Sequence, residues 1–143
     1  MAEPSDKRSS APLRGSRGVR IKMKVDNQIV NDSKAFAIRI IKLYKFLTEE
    51  KKEFIIAKQL LRSGTSIGAN ISESVFAQSR MDFVNKMSIA LKEANETKYW
   101  LDLLVETEYL TEEQYDSIAV DVKKIIGTLV NIVNSTKKLN IKN

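Results

Sequence analysis

The sequence has no cysteine and no histidine in 143 residues. Without cysteine there is no disulfide and no thiolate metal site, and without histidine the commonest general base and zinc ligand are both missing. Most catalytic constellations are therefore excluded, and neither an enzymatic activity nor a cofactor or metal is expected. Only two prolines and five glycines occur, and both prolines and two of the glycines fall in the first 24 residues. No apolar run approaches the roughly 20 residues of a membrane-spanning helix, and the basic N-terminus has no apolar signal core behind it. A soluble, cytoplasmic protein is the expectation. The 43% of apolar residues suffice for one compact domain with a real core, not comfortably for two.

The net charge of +6 is unevenly placed. Residues 1–24 carry Lys7, Arg8, Arg14, Arg17, Arg20, Lys22 and Lys24 against Glu3 and Asp6, or 7 − 2 = +5; the remainder has 17 basic and 16 acidic residues, or +1. Rich in serine and poor in apolar surface, this stretch cannot offset its ordering entropy. It predicts a disordered tail over 1–30, a folded domain over 31–138 and a short C-terminal tail over 139–143. A basic arm can grip phosphates through counterion release. The segment up to residue 22 is equally compatible with an added leader, because Met23 opens a sensible sequence of its own.

From Asn31 the chain reads as helix. Asn31, Asp32 or Ser33 can cap, and Phe36, Ile40, Leu43, Tyr44 and Leu47 recur at three- and four-residue steps to an end near Thr48. A second helix starting around Glu50 to Lys52 carries Ile56, Leu60, Ile67, Ile71 and Val75. A third, signalled by Ser79 to Asp82, has the stripe Phe83, Met87, Ala90, Ala94, Thr97, Leu101 and Leu104, alternating four and three as in a bundle seam. After a break at Glu108 to Thr111, where Thr111 and Gln114 resemble a capping box, the fourth helix carries Ile118, Val122, Ile125, Leu129, Ile132 and Thr136. With short connections and no strand signal, these features predict an all-α, antiparallel up-down-up-down four-helix bundle.

One stretch stands apart, Arg62 to Glu73, which is almost all small or polar between apolar patterns. It lacks the lysine and the preceding strand of a phosphate-binding loop. The apolar stripe keeps its phase from Ile56 and Leu60 through Ser63 and Ile67 to Ile71 and Ser74 at 100° per residue, which favours an unbroken helix. Ala57, Gly64 and Gly68 then line one shoulder and Ser63 and Asn70 the other, so a neighbouring backbone can approach closely, with Ala90 and Ala94 of the third helix as suitably small opposite surfaces. Each glycine costs about 1 kcal/mol of helix propensity, and close packing is the compensating gain. Ser66 and Glu73 belong to the same packing segment, and a buried hydrogen bond is expected from Asn70. Glu93 and Glu96 form Glu-x-x-Glu rather than the Glu-x-x-His of di-iron bundles, and read as one exposed and one partly buried carboxylate. Ser135 to Lys138 matches Ser-x-x-Lys by spacing alone and carries no weight.

Several large apolar side chains fall off the stripes. Measured from the third helix's seam, Ile89 and Trp100 project about 100° to 120° away, and Tyr99 and Leu103 roughly 160°. With Phe54, Ile55, Leu61 and Phe76 on the second helix, they predict a second buried surface, most simply a self-association interface. A wide bundle core reaching some of them is the alternative.

The run Arg62-Ser-Gly-Thr-Ser-Ile-Gly-Ala-Asn-Ile-Ser-Glu73, preceded by Gln59-Leu-Leu61 and followed by Asp82-Phe-Val-Asn-Lys-Met-Ser-Ile-Ala-Leu-Lys-Glu-Ala-Asn-Glu-Thr-Lys-Tyr-Trp-Leu101, resembles the bacterial four-helix-bundle proteins encoded in 23S rRNA intervening sequences. The related accessory variability determinant (Avd) proteins of diversity-generating retroelements share the pattern, and the match runs from about Ser33 to Thr136. The resemblance implies a homopentameric ring of bundles without enzymatic activity. In the retroelement branch it also implies a reverse transcriptase as partner and nucleic acid bound through a strongly basic surface. This chain departs from that pattern, because its folded part is nearly neutral. Lys42, Lys45, Lys51, Lys52, Lys58 and Arg62 nevertheless segregate from the acidic Glu106 to Asp121 region. Two readings follow: an RNA- or DNA-binding accessory protein with Lys51, Lys52, Lys58, Arg62 and Arg80 as contacts on helix exteriors, or a scaffold that binds a protein partner such as a polymerase.

Overall fold

A computed structural model describes residues 27–142, with side chains placed through Lys138. The stretch 1–26, to which the disorder and leader expectations apply, lies outside the described residues, as do the side chains of the tail 139–143. Four helices, α1 (Asn27–Glu49), α2 (Ile55–Ser74), α3 (Arg80–Glu106) and α4 (Glu112–Lys142), are joined by connections of five residues each. No strand occurs among the described residues. Connections that short force sequential neighbours to run antiparallel. α2 packs on α1 and α3, α3 also packs on α4, and the α1–α4 edge closes the bundle more sparsely.

The starts of α2, α3 and α4 each have an identifiable cause. Ser79 Oγ accepts from the Asp82 N–H at 3.0 Å while Asp82 Oδ2 accepts from the Gln78 N–H, which sets the N-terminus of α3. Thr111 and Gln114 form the expected capping box for α4, each side chain accepting from the other's backbone N–H. α2 begins later than expected, at Ile55, because Lys52 turns into the left-handed region at φ 57° and interrupts the helix. The Glu53 carboxylate then caps the new start, accepting from the N–H of Ile56 at 3.2 Å and of Ala57 at 2.8 Å. α1 begins four residues before Asn31, so Asn31, Asp32 and Ser33 do not cap it. Ser33 is instead buried inside the helix and donates to the Val30 carbonyl.

The seven expected α3 positions are all buried, and α2 runs unbroken through Gly64 and Gly68 with Leu60, Ile67 and Ile71 fully enclosed. The partner of those glycines is not α3. A Cβ on Gly64 would meet both Cγ atoms of Ile40 at 2.8 Å, and one on Gly68 would lie 3.3 Å from the Ser33 carbonyl oxygen, so the close approach is to α1. Ala90 and Ala94 are buried in the core. It is Thr97 that meets α2 by a polar contact, its hydroxyl 2.9 Å from that of Ser63, both side chains buried. Asn70 makes no buried cross-helix bond; half-buried, it donates to the Ser66 carbonyl one turn back. Thr65 and Ser66 likewise donate to carbonyls four residues earlier, so these three polar side chains are satisfied within the helix. On α4 the stripe continues from Leu129 to Val133 rather than to Ile132 and Thr136, which are half-buried.

α3 and α4 are also joined by the Tyr115 hydroxyl, which donates to Asp102, a carboxylate that Lys98 holds at 3.1 Å. The hydrogen bond to Asp102, and then burial, push the Tyr115 phenol up to about 12. Folding therefore holds the proton, and this contribution is complete below about pH 10 and is lost as pH rises towards 12. The difference in unfolding free energy between the wild type and Tyr115→Phe should be level up to about pH 10 and shrink above it. A difference that stayed level through the alkaline range would contradict the linkage.

Candidate nucleic-acid interface

The outer side of α1 carries Lys34, Ile38, Ile41 and Lys45 at steps of four, three and four, which places them on one helix face. All four are exposed, Ile38 by 47% and Ile41 by 41%. Lys42 stands beside them and Lys58 projects from the adjoining outer side of α2, both exposed. Among the described residues none of these lysines has a carboxylate within 4.0 Å. Other cations are committed to acids, Arg39 to Asp121 at 2.6 Å, Lys86 to Glu73 at 2.9 Å and Lys124 to Asp32 at 3.7 Å, while Lys92 and Lys123 on α3 and α4 are exposed and, like the α1 lysines, have no ion pair among the described residues. Lys51 and Lys52 lie in the α1–α2 turn rather than on a helix exterior, and the Lys51 ammonium sits 5.8 Å from the centre of the Phe46 ring.

Arg62 is placed differently from the other expected contacts. Its guanidinium donates to Glu93 at 3.2 Å and to Glu96, and the Trp100 indole N–H donates to the same Glu96 carboxylate at 3.1 Å. Hydrogen bonding to Glu96 raises the Arg62 pKa. Desolvation pulls the Glu96 carboxyl upward, but the bonds from Arg62 and Trp100 with the charges of Arg62 and Lys92 outweigh it, leaving the group below its usual range. Glu93 and Glu96 are thus both half-buried and both hold Arg62, rather than one being free in solvent. Arg62 latches α2 to α3. Arg80 opens α3 at the other end of the bundle, about 30 Å of α2 away from Lys51 and Lys52. The structure therefore brings Lys51, Lys52 and Lys58 together at one end and separates Arg80 from them.

Glu106, Glu108, Glu112, Glu113 and Asp116 are exposed around the α3–α4 turn, which the antiparallel topology puts at the same end of the bundle as the α1–α2 turn, and Lys42 and Glu113 line one groove, so the segregation of charge anticipated from the sequence is not a separation in space. Of the side chains expected to form a second interface, Ile55 is 79% exposed, Phe54 58%, Tyr99 56% and Phe76 55%. Leu61, Ile89, Trp100 and Leu103 are half-buried, and Leu61 and Trp100 pack against the core, so the wide-core alternative accounts for part of the set. Sequence reasoning missed a groove of about 580 Å³ on the α1–α4 edge, whose lining includes Arg39, Lys42, Leu43, Phe46, Glu113 and Ile118. Arg39 bridges the two helices there, donating to the carbonyl and to the hydroxyl of Ser117. No group of three or more potential metal ligands occurs among the described residues, and none of their helices is long and apolar enough to cross a membrane.

The sequence pattern of the 23S rRNA-intervening sequence protein family matches residues 25–131, which span the four helices up to the later turns of α4. The chain belongs to that family. A solved structure similar to this intervening-sequence protein is the crystal structure of a protein of unknown function from the S23 ribosomal protein family of Bacteroides thetaiotaomicron, with 60% identity and a TM-score of 0.73. The likeness covers 73% of this chain and 97% of that one. No curated protein matches. The Arg62 to Glu73 segment and the α3 seam both lie inside the family region, while most of the basic N-terminal excess lies before it.

Proposed function

We propose that this chain is a non-enzymatic, cytoplasmic nucleic-acid-binding accessory protein that works as a homo-oligomer, a pentamer by its likeness to Avd proteins. The observation that carries the binding reading is the α1–α2 outer face, where Lys34, Lys45 and Lys58, with Lys42 on the α1–α4 flank, have no ion pair among the described residues. A line of unpaired ammonium groups on a helix exterior neutralises backbone phosphates and releases their counterions. Arg62, held by two carboxylates, latches helices and is not counted among the contacts. Ile55 and Tyr99, exposed on α2 and α3, supply apolar area for self-association.

The test is fluorescence anisotropy with labelled RNA and DNA across a salt series. Affinity should fall with salt and persist after deletion of residues 1–22, and converting Lys34, Lys42 and Lys45 to alanine should weaken binding about ten-fold while reducing the slope of log K against log salt by about 2 to 3. Binding that vanishes with residues 1–22, or that ignores the three lysines, defeats the reading. The scaffold reading draws on Ile38 and Ile41, exposed between those lysines, a mixed surface suited to a protein such as a reverse transcriptase. It requires co-purification with that protein to survive nuclease treatment.

A further inference from the structure

The α1–α2 turn presents an aromatic ring that the fold does not use. Phe54 immediately precedes α2, is 58% exposed and makes no side-chain capping bond, since Glu53 does the capping. The turn beneath it is fixed: the N–H groups of Glu50 and Lys51 both donate to the Phe46 carbonyl, that of Glu53 donates to the Leu47 carbonyl, and the Glu53 side chain is buried. A ring held on a rigid support loses little entropy when a partner stacks on it.

Lysines flank the ring along the chain. Lys58 lies one helical turn after Phe54 on the same side of α2, and Lys51 and Lys52 lie two and three residues before it, all exposed. Lys52 adopts φ 57°, a conformation that glycine or asparagine would take with less strain, yet the position carries a positive charge. Glu49 and Glu50 are exposed in the same segment and the Glu53 carboxylate is held beneath the ring, so three lysines are balanced by three glutamates and phosphate attraction alone gives little affinity there. Stacking then has to supply much of the binding, and the faces of bases are open to a protruding side chain in single strands, not in an intact duplex.

We infer that the α1–α2 turn is a stacking site for an unpaired nucleobase, with Phe54 as the platform and Lys51, Lys52 and Lys58 holding the flanking phosphates. The inference rests on the nucleic-acid reading above and narrows it to single-stranded segments. The test compares the full chain with Phe54→Ala and Phe54→Tyr by anisotropy, using a labelled oligothymidine of about 15 nucleotides and a duplex of equal length. The wild type should prefer the single strand; Phe54→Ala should weaken that binding roughly ten-fold with the duplex affinity unchanged, and Phe54→Tyr should stay near the wild type. Equal losses on both probes, or no loss on either, overturn the stacking site while leaving nucleic-acid binding intact. Failure of the wild type to bind either probe overturns both. Phe54→Ala that leaves binding unchanged but alters the solution mass of the protein assigns the ring to a protein contact instead.

Discussion

Gly64→Ala is expected to lower the unfolding free energy by about 1–3 kcal/mol, although alanine is the better helix former by about 1 kcal/mol. The new Cβ would lie 2.8 Å from both Cγ1 and Cγ2 of Ile40 and 3.2 Å from its Cβ. Ile40 is fully buried, and because it branches at Cβ, rotating χ1 only exchanges one arm for the other. The relief has to come from moving α1 away from α2. At Gly68 the nearest atom is 3.3 Å away, so Gly68→Ala should be much milder, the tighter contact and the propensity gain partly cancelling. Gly64→Leu should not fold. Chemical denaturation of the single variants and of Gly64→Ala combined with Ile40→Ala checks the cause: with both Cγ atoms gone, adding the Gly64 methyl should cost close to nothing. An unchanged denaturation midpoint in Gly64→Ala would mean that α1 and α2 do not meet here.

The reading of those glycines shows what the sequence carries and what it leaves out. Phase continuity from Leu60 through Ile67 to Ile71 identified a helix where composition alone pointed to a loop, and the α2 contact surface fell on the expected shoulder. Which helix faces that shoulder depends on the hand of the bundle, which no one-dimensional pattern encodes, so α3 was expected where α1 stands. The start of α1 was misplaced because Ser33 looks like a cap. Its true neighbours in the pattern are Ile29, Phe36 and Ile40, all buried, and a small polar residue is tolerated among them because Gly68 leaves room for the α1 backbone. The α3 seam was legible in full because that helix is covered on two sides, by α2 and α4.

The charged surface was legible as a distribution along the chain but not as pairings. Counting along the chain separated the basic α1–α2 region from the acidic start of α4. It could not show that Arg62 meets carboxylates 31 and 34 residues later, or that Arg39 reaches Asp121 across 82 positions. Those ion pairs remove two arginines from the cations available to a ligand and leave the lysines. The wheel ordering of α3 fared better: Tyr99, turned furthest from the seam, is the more exposed of the adjoining aromatics, and Trp100, turned less, packs against the core while donating to Glu96.

Glu53→Ala should destabilise the bundle by about 2 kcal/mol, near the upper end for loss of a helix cap. The residue is only 9% exposed, and its carboxylate is divided between two donors, Oε2 for Ile56 and Oε1 for Ala57. A negative charge there also faces the positive end of the α2 dipole. Truncation leaves the N–H of fully buried Ala57 without its acceptor, and water reaches that site only if the first turn of α2 opens. Glu53→Gln keeps one carbonyl oxygen but turns an NH2 group towards the second donor, so about half the loss is expected. The site-specific readout is amide exchange: Ile56 and Ala57 should exchange faster in Glu53→Ala, while the α3 seam keeps its protection relative to the reduced global stability. If both variants match the wild type in midpoint and exchange, the turn is held by its backbone bonds alone. In that case the rigidity attributed to the support beneath Phe54 would have to come from Glu50, Lys51 and Glu53 amides bonding to Phe46 and Leu47.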